Sequence, residues 1–211
     1  MNNNNPRPPV TTLLTNRLRL EPFAEHHLDG LHDMNGRPEV MRYISGHPET
    51  REQTAEAIAR VQRCWAAWGT SWWAFIEPTS GRVVGAGAIQ YLRREAAVST
   101  DLDGLRGNPL EIGWRLHPDF WRQGFATEAA IRMAAFAFVS LEALELLAVR
   151  HPDNTESARV MDRLGMRFRA LEHWYGKSLA THALSRETWQ HAQRIASEAL
   201  PHERADWAAA V

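Results

Sequence analysis

Glu111-Ile-Gly-Trp-Arg-Leu-His-Pro-Asp-Phe-Trp-Arg-Gln-Gly-Phe-Ala-Thr-Glu128 decides the fold. Its first half alternates as a strand, and His117-Pro-Asp119 ends that strand. From Gly124, Ala126, Ala129, Ala130, Met133, Ala134 and Ala137 recur at spacings of three and four, a small-residue stripe that lets a helix pack closely on a sheet. A short polar loop therefore joins a strand to the start of a helix. The first helical amides have no intrahelical acceptor and carry the positive end of the helix dipole, so the N–H groups from about Arg122 to Thr127 converge on a place suited to a phosphate. Arg122 and Gln123 add donors, and Gly124 and Ala126 let a ligand approach the backbone. The loop is too short for a Walker A motif and is not Gly-x-Gly-x-x-Gly. On these grounds alone a pyrophosphate site and a plain strand-to-helix turn both stay open.

Upstream of this stretch, Arg17 to Phe23 alternates as a strand, and weaker helical spacing runs over His26 to Met34 and Pro38 to Tyr43. Thr50-Arg-Glu-Gln53 has the form of a capping box. Ile58, Val61, Trp65 and Trp68 then form one apolar stripe, and Gly69 is placed to end the helix. Ser71–Ile76 and Arg82–Ile89 read as a hairpin across a turn-rich segment, and residues 93–109 as a long loop. Downstream, Leu144–Arg150 reads as a strand, Thr155–Leu164 as a short helix ended by Gly165, Met166–Leu171 as a strand, and Arg186–Leu200 as an amphipathic helix. No internal repeat is visible.

Composition narrows the function classes. The 24 Lys+Arg stand against 25 Asp+Glu in 211 residues, a net charge of −1, which argues against a sequence-blind nucleic-acid binder. No window has the apolar length of a membrane span, and the proline-rich, polar start lacks the apolar core of a secretory signal. The single cysteine, Cys64, excludes an internal disulfide framework and suits a reducing, cytoplasmic compartment. It reads as a small buried hydrophobe. None of the ten histidines forms His-Glu-x-x-His, and His26, His27 and His32 contain no i, i+4 pair, so no metal is expected.

Several motifs, in order, resemble the GNAT superfamily of acyl-CoA-dependent N-acetyltransferases and, more narrowly, its RimJ/RimL-like (ribosomal-protein-alanine N-acetyltransferase-like) branch. They are the Thr15-Asn-Arg-Leu-Arg-Leu opening, Val84-Gly-Ala-Gly-Ala-Ile89, Glu111-Ile-Gly-Trp, Trp121-Arg-Gln-Gly-Phe-Ala-Thr-Glu-Ala, and Asn154-Thr-Glu-Ser-Ala-Arg-Val-Met-Asp-Arg-Leu-Gly-Met-Arg-Phe168. The resemblance covers about residues 15–185. It implies an α/β fold with a mixed, twisted, mostly antiparallel sheet, a V-shaped splay where acyl-CoA enters, and flanking helices. It implies acetyl-CoA as co-substrate, with Gln123, Gly124, Phe125, Ala126 and Thr127 cradling the pyrophosphate, Arg122 beside them, and the strand end at Leu116 and His117 pairing with the pantetheine arm. Two positions depart from the motif, with Trp121 at its first place and Arg122 where many relatives have glycine.

The resemblance also implies that Asn154 contacts pantetheine and that Ser157 serves as general acid toward the departing sulfur. The first turn of that helix also reads as a cap, through Asp153-x-x-Glu156. Glu111 is similar in position to the glutamate that takes the amine's proton, and burial there would raise its pKa. A salt-bridged strand-end carboxylate is the plainer reading. Trp72 and Trp73 point to opposite faces of a strand, so one of them is a candidate for the acceptor pocket and core the plainer reading; His173 and His182 lie near the expected acceptor side; and Arg93, Arg94 and Arg106 read first as a solvated loop face, with attraction of an acidic acceptor the alternative. The expected organisation is a tail over 1–12, an N-acetyltransferase domain over 13–184 and a helical extension over 185–211. The acceptor is a protein N-terminus or a small amine, the assembly a monomer or homodimer, and the competing class a non-catalytic acyl-CoA sensor.

Overall fold

In the computed structural model of the chain the described residues are 11–199, with side chains described to residue 195. Residues 1–10 of the expected tail and 200–211 of the extension lie outside them. The elements follow as β1 (Leu13–Leu14), β2 (Arg19–Pro22), α1 (Leu28–Asn35), α2 (Pro38–Met41), α3 (Arg51–Trp68), β3 (Trp72–Ile76) and β4 (Val83–Tyr91). Then come α4 (Leu102–Leu105), β5 (Leu110–Leu116), α5 (Phe125–Val139), β6 (Glu145–Arg150), α6 (Thr155–Arg163), β7 (Arg167–Trp174), β8 (Lys177–Ser185) and α7 (Arg186–Ala199). The eight strands form one sheet in the order β1-β2-β3-β4-β5-β6-β8-β7. Every neighbouring pair is antiparallel except β5 with β6.

Local chemistry accounts for the long helices. Thr50 caps α3 by accepting from the Gln53 amide, while Gln53 Oε1 accepts from the Thr50 amide at 2.8 Å, and Gly69 ends the helix at φ +70°. Ile58, Val61, Trp65 and Trp68 are buried, and the Trp65 indole donates to the Trp72 carbonyl at 3.1 Å. The alanine stripe of α5 lies on the sheet. A Cβ at Gly87 would come within 2.7 Å of Met133 Cε, so strand and helix meet where β4 has no side chain. Helix α1 crosses the sheet at Gly30, whose own missing Cβ makes room for Val83.

Three departures from the sequence reading have physical causes. The loop over 93–109 contains α4, begun by Asp101 accepting from the Gly104 amide. The cap of α6 is Asn154, which accepts from the Ser157 amide at 3.2 Å, and not Asp153. Strand β8 had no counterpart in the reading. It lies between β6 and β7, and Leu179 to His182 are all buried, so it shows none of the polar alternation of a half-exposed strand.

The sheet opens between β5 and β6. Their one paired position is Glu111 with Leu147, after which β5 continues to Leu116 on β4 alone and β6 to Arg150 on β8 alone. This is the expected V-shaped splay, and Glu111 stands at its apex.

Candidate active site

The backbone of β5 supplies one wall of the opening. His117 N donates to Val84 O at 3.0 Å, and the antiparallel register pairs Leu116 with Gly85 and Trp114 with Gly87. Hydrogen-bonding direction alternates along a strand, so His117, Arg115 and Gly113 address β4, whereas Leu116 and Trp114 turn their polar groups toward the gap. The Leu116 carbonyl already accepts from the Trp121 indole at 2.9 Å. The His117 side chain is buried, and its Nδ1 accepts from the Asp119 amide at 3.2 Å, while Nε2, 3.3 Å from Asp33 Oδ2 on α1, makes no hydrogen bond among the described residues. The open strand groups therefore belong to Trp114 and the Leu116 amide.

Beyond this strand the chain makes a turn that exposes amides. Arg122 has φ +60° and Gly124 φ +85°, both left-handed. Glycine takes that conformation freely, and arginine at Arg122 holds it at a cost of about 1 kcal/mol. The departure from glycine noted in the sequence thus falls on a left-handed backbone. Gly124 is the N-cap of α5 and no side chain caps the helix, so the amides of Phe125, Ala126 and Thr127 keep no acceptor within the helix. Arg17 braces the turn, donating from Nη1 to the Gln123 carbonyl at 3.0 Å and forming an ion pair with Glu128 at 2.6 Å. Gln123 Nε2 donates to the Asp119 carbonyl at 2.9 Å, and Arg122 is exposed. The Trp121 side chain, the other departure, serves as a strut on the Leu116 carbonyl.

At the apex, Glu111 is buried and has no cation within salt-bridge distance among the described residues. Its carboxylate accepts from Gln90 Nε2 at 3.0 Å and from the hydroxyl of Tyr175. Gln90 Nε2 also reaches the Tyr175 oxygen at 3.2 Å, and Gln90 Oε1 accepts from the Trp72 indole at 2.9 Å. Burial pushes the Glu111 carboxyl up, against the bonds from Tyr175 and Gln90 and the charge of Arg93. Burial, and then the neighbouring Glu111 carboxylate, raises the Tyr175 phenol well above its ordinary value. A buried carboxylate raised in this way is suited to take a proton from an amine.

Tyr175 was not singled out from the sequence, yet it is Glu111's closest partner. It sits at the tip of the β7–β8 hairpin with Gly176, at φ +54° and +70°. Such a two-residue turn ordinarily takes Asn-Gly or Gly-Gly, so the dipeptide Tyr-Gly between strands was the available signal. The tip is sewn to the loop after β4, with Tyr175 N donating to Arg93 O at 2.9 Å and Gly176 N to Arg94 O at 2.8 Å.

The remaining candidates sort by place. Trp73 is core, while half-buried Trp72 faces the apex through Gln90. Ser157 is half-buried in the first turn of α6 and its hydroxyl has no partner among the described residues; Asn154 Oδ1 is used as the cap. His182 pairs with Ala148 on the sheet face opposite the Glu111–Leu147–Ala183 row, so it is not part of the apex. His173 is exposed, and its carbonyl accepts from Arg94 at 3.0 Å. Cys64 is buried, and burial pushes its thiol up. Among the described residues, Glu21, His26 and His27 bring ligand atoms within 4.8 Å. Burial raises the Glu21 carboxyl, but the bonds from Arg19, His27 and His26 outweigh this and hold it at about 2. His27 Nδ1 accepts from the Ala24 amide, leaving its Nε2 as donor to Glu21, so the group is satisfied internally.

Among the described residues no helix is long and apolar enough to cross a membrane. The chain matches the acetyltransferase (GNAT) domain family over residues 17–167. It is 29% identical over 159 residues to FsC-acetyl coenzyme A-N(2)-transacetylase of Aspergillus fumigatus, covering 74% of this chain and 64% of that protein. Less than two thirds of that relative's length is thus matched. Among solved structures, the acetyltransferase from Agrobacterium tumefaciens superposes with a TM-score of 0.69 at 22% identity, over 83% of this chain and 95% of that one. The GNAT-family acetyltransferase from Bacillus anthracis gives 0.65 at 22% identity, over 84% and 99%. At these identities the structures speak for the fold alone.

Proposed function

Because the chain belongs to the acetyltransferase (GNAT) domain family, we propose that it moves the acetyl group of acetyl-CoA to a primary amine, directly, with both substrates bound together. The family uses acetyl-CoA as co-substrate, and the open amides behind Gly124 and the unpaired edge of β5 suit its pyrophosphate and its pantetheine arm. In this reading Gln123 to Thr127 hold the pyrophosphate, with Arg122 beside them. Trp114 and the Leu116 amide pair with the arm, and the Asn154 amide group reaches it from α6.

The observation that carries the reading is Glu111, a buried carboxylate with no ion-paired cation among the described residues, at the point where β5 and β6 part. Glu111 takes a proton from the acceptor's ammonium. The neutral amine attacks the thioester carbonyl, the carbon–sulfur bond breaks, Ser157 gives a proton to the departing thiolate, and the proton shed by the acylated nitrogen restores the Ser157 hydroxyl. The transferase domain spans 13–184, with α7 opening a C-terminal extension. The RimJ/RimL-like branch, suggested by the order of motifs from Thr15 to Phe168, puts protein N-termini beside small amines as acceptors. The lone Cys64 fits a reducing, cytoplasmic setting.

Thermal unfolding with acetyl-CoA, free CoA and longer acyl-CoAs tests the donor site, since a ligand at 100 times its Kd adds about 2.7 kcal/mol. A raised Tm is expected, followed by thiol release with an amine panel. No shift with any CoA ester overturns the donor site, and a shift with no acetylation of any amine transfers the reading to an acyl-CoA sensor.

A further inference from the structure

Three arginines surround the Glu111 network without an acid to pair with. Arg115, on β5, sits over the Trp72 ring with its guanidinium carbon 4.4 Å from the ring centroid. Its Nε donates to Asn35 Oδ1 at 2.9 Å, and its two Nη groups have no partner among the described residues. Arg93 lies over the Tyr175 ring at 4.6 Å and gives its donors only to the carbonyls of Glu95 and Ala96. Arg60, half-buried on α3, makes no hydrogen bond or ion pair among the described residues and is repelled by Arg93. Arg115 in turn is repelled by Arg60. Trp72 and Tyr175, the two rings under Arg115 and Arg93, both bond into the Gln90–Glu111 pair. The arginines therefore stand on either side of Glu111, with Arg60 within electrostatic reach of both.

A sequestered cation without a counter-ion is costly, and Arg17, Arg19, Arg37, Arg51 and Arg82 avoid that state by pairing with carboxylates. Burial draws Arg115 down to about 10, which leaves it charged at neutral pH. The carboxylates facing the set are Glu49 and Glu111. Glu49 accepts from Asn35 Nδ2 at 2.9 Å and raises Arg60 and Arg115 only at longer range, and burial favours the neutral form of Glu111. A planar guanidinium backed by an indole, with both terminal nitrogens free, is made for two-point contact with a carboxylate.

We propose that Arg115, assisted by Arg60 and Arg93, forms an anion subsite of the acceptor pocket, so that the acceptor is a small amine bearing a carboxylate. This rests on the acetyl-transfer reading and deepens it. The carboxylate docks on Arg115 over Trp72, and the amine end falls toward Glu111. The arrangement selects against polyamines and other amines of purely positive charge.

The test compares glycine, β-alanine, γ-aminobutyrate and lysine with their carboxamides as acceptors, by thiol release from acetyl-CoA. In parallel, calorimetry in the presence of CoA compares the N-acetylated acids with the N-acetylated carboxamides. At least one acid is expected to exceed its carboxamide by tenfold or more in kcat/KM, with the same preference in binding. Arg115→Lys and Arg60→Met bring that ratio near one while the acetyl-CoA melting shift persists, which shows the variants folded. Equal use of acids and carboxamides, better use of cationic amines, or a ratio unchanged in both variants overturns the subsite. If no amine is acetylated, the acetyl-transfer reading fails by itself, and the calorimetric preference still decides the anion subsite.

Discussion

At the scale of single residues, Glu111 works only in the company it keeps. Its carboxylate is destabilised by burial and partly compensated by Tyr175 and Gln90, so its acid form persists to higher pH than in an ordinary glutamate. A base must be deprotonated to act, and the acid limb of kcat is therefore expected to follow Glu111, with activity lost as pH falls through its raised pKa. Glu111→Gln removes that limb and lowers kcat by about 10²–10⁴-fold, the usual contribution of a general base. Tyr175→Phe deletes a bond that favours the charged form, so it shifts the limb to higher pH. A pH profile of both variants checks this, and an unchanged limb in Tyr175→Phe contradicts the coupling. Glu111 was visible in the sequence through the family resemblance, at the head of the strand-loop-helix stretch. It hid Tyr175 because the contact spans 64 positions and is delivered by a left-handed turn.

At the scale of elements, legibility followed contrast between faces. The helix α3 was plain, since its capping box, apolar stripe and terminal glycine agree. Strand β8 was not, because burial on both sides and small residues erase the alternation that identifies a strand. The start of α5 was half legible. Its small residues predicted exposed amides, but the left-handed backbone at Arg122 and Gly124 is a feature of the turn alone. Gly124→Ala places a Cβ on a φ of +85°, with an expected loss of about 1–2 kcal/mol. The same strain displaces the first amides of α5, so the acetyl-CoA melting shift is expected to shrink along with Tm. A variant of lower Tm that keeps the full ligand shift would separate the turn from donor binding.

At the scale of the whole molecule, one incomplete strand pairing organises everything else. A sheet of eight strands buries its polar backbone through its neighbours, yet between β5 and β6 pairing stops after Glu111 and Leu147. The gap therefore holds backbone donors that the fold leaves for another partner, and the helix start behind Gly124 holds more on the same side of the chain. An extended amide-bearing ligand satisfies the first group and its anionic end the second. Hydrogen exchange reads this directly. On adding acetyl-CoA, the amides of Trp114 and Leu116 and those of Phe125 to Thr127 are expected to slow strongly. His117, already bonded to Val84 at 3.0 Å, provides the internal reference and changes only as far as global stability does. Protection of His117 equal to that of Trp114 would mean general stabilisation without strand pairing. Protection confined to Phe125–Thr127 would mean that the pyrophosphate end binds and the gap does not take the arm. The alternation of one strand's hydrogen bonds thus separates a ligand that completes the sheet from one that merely rests on its end.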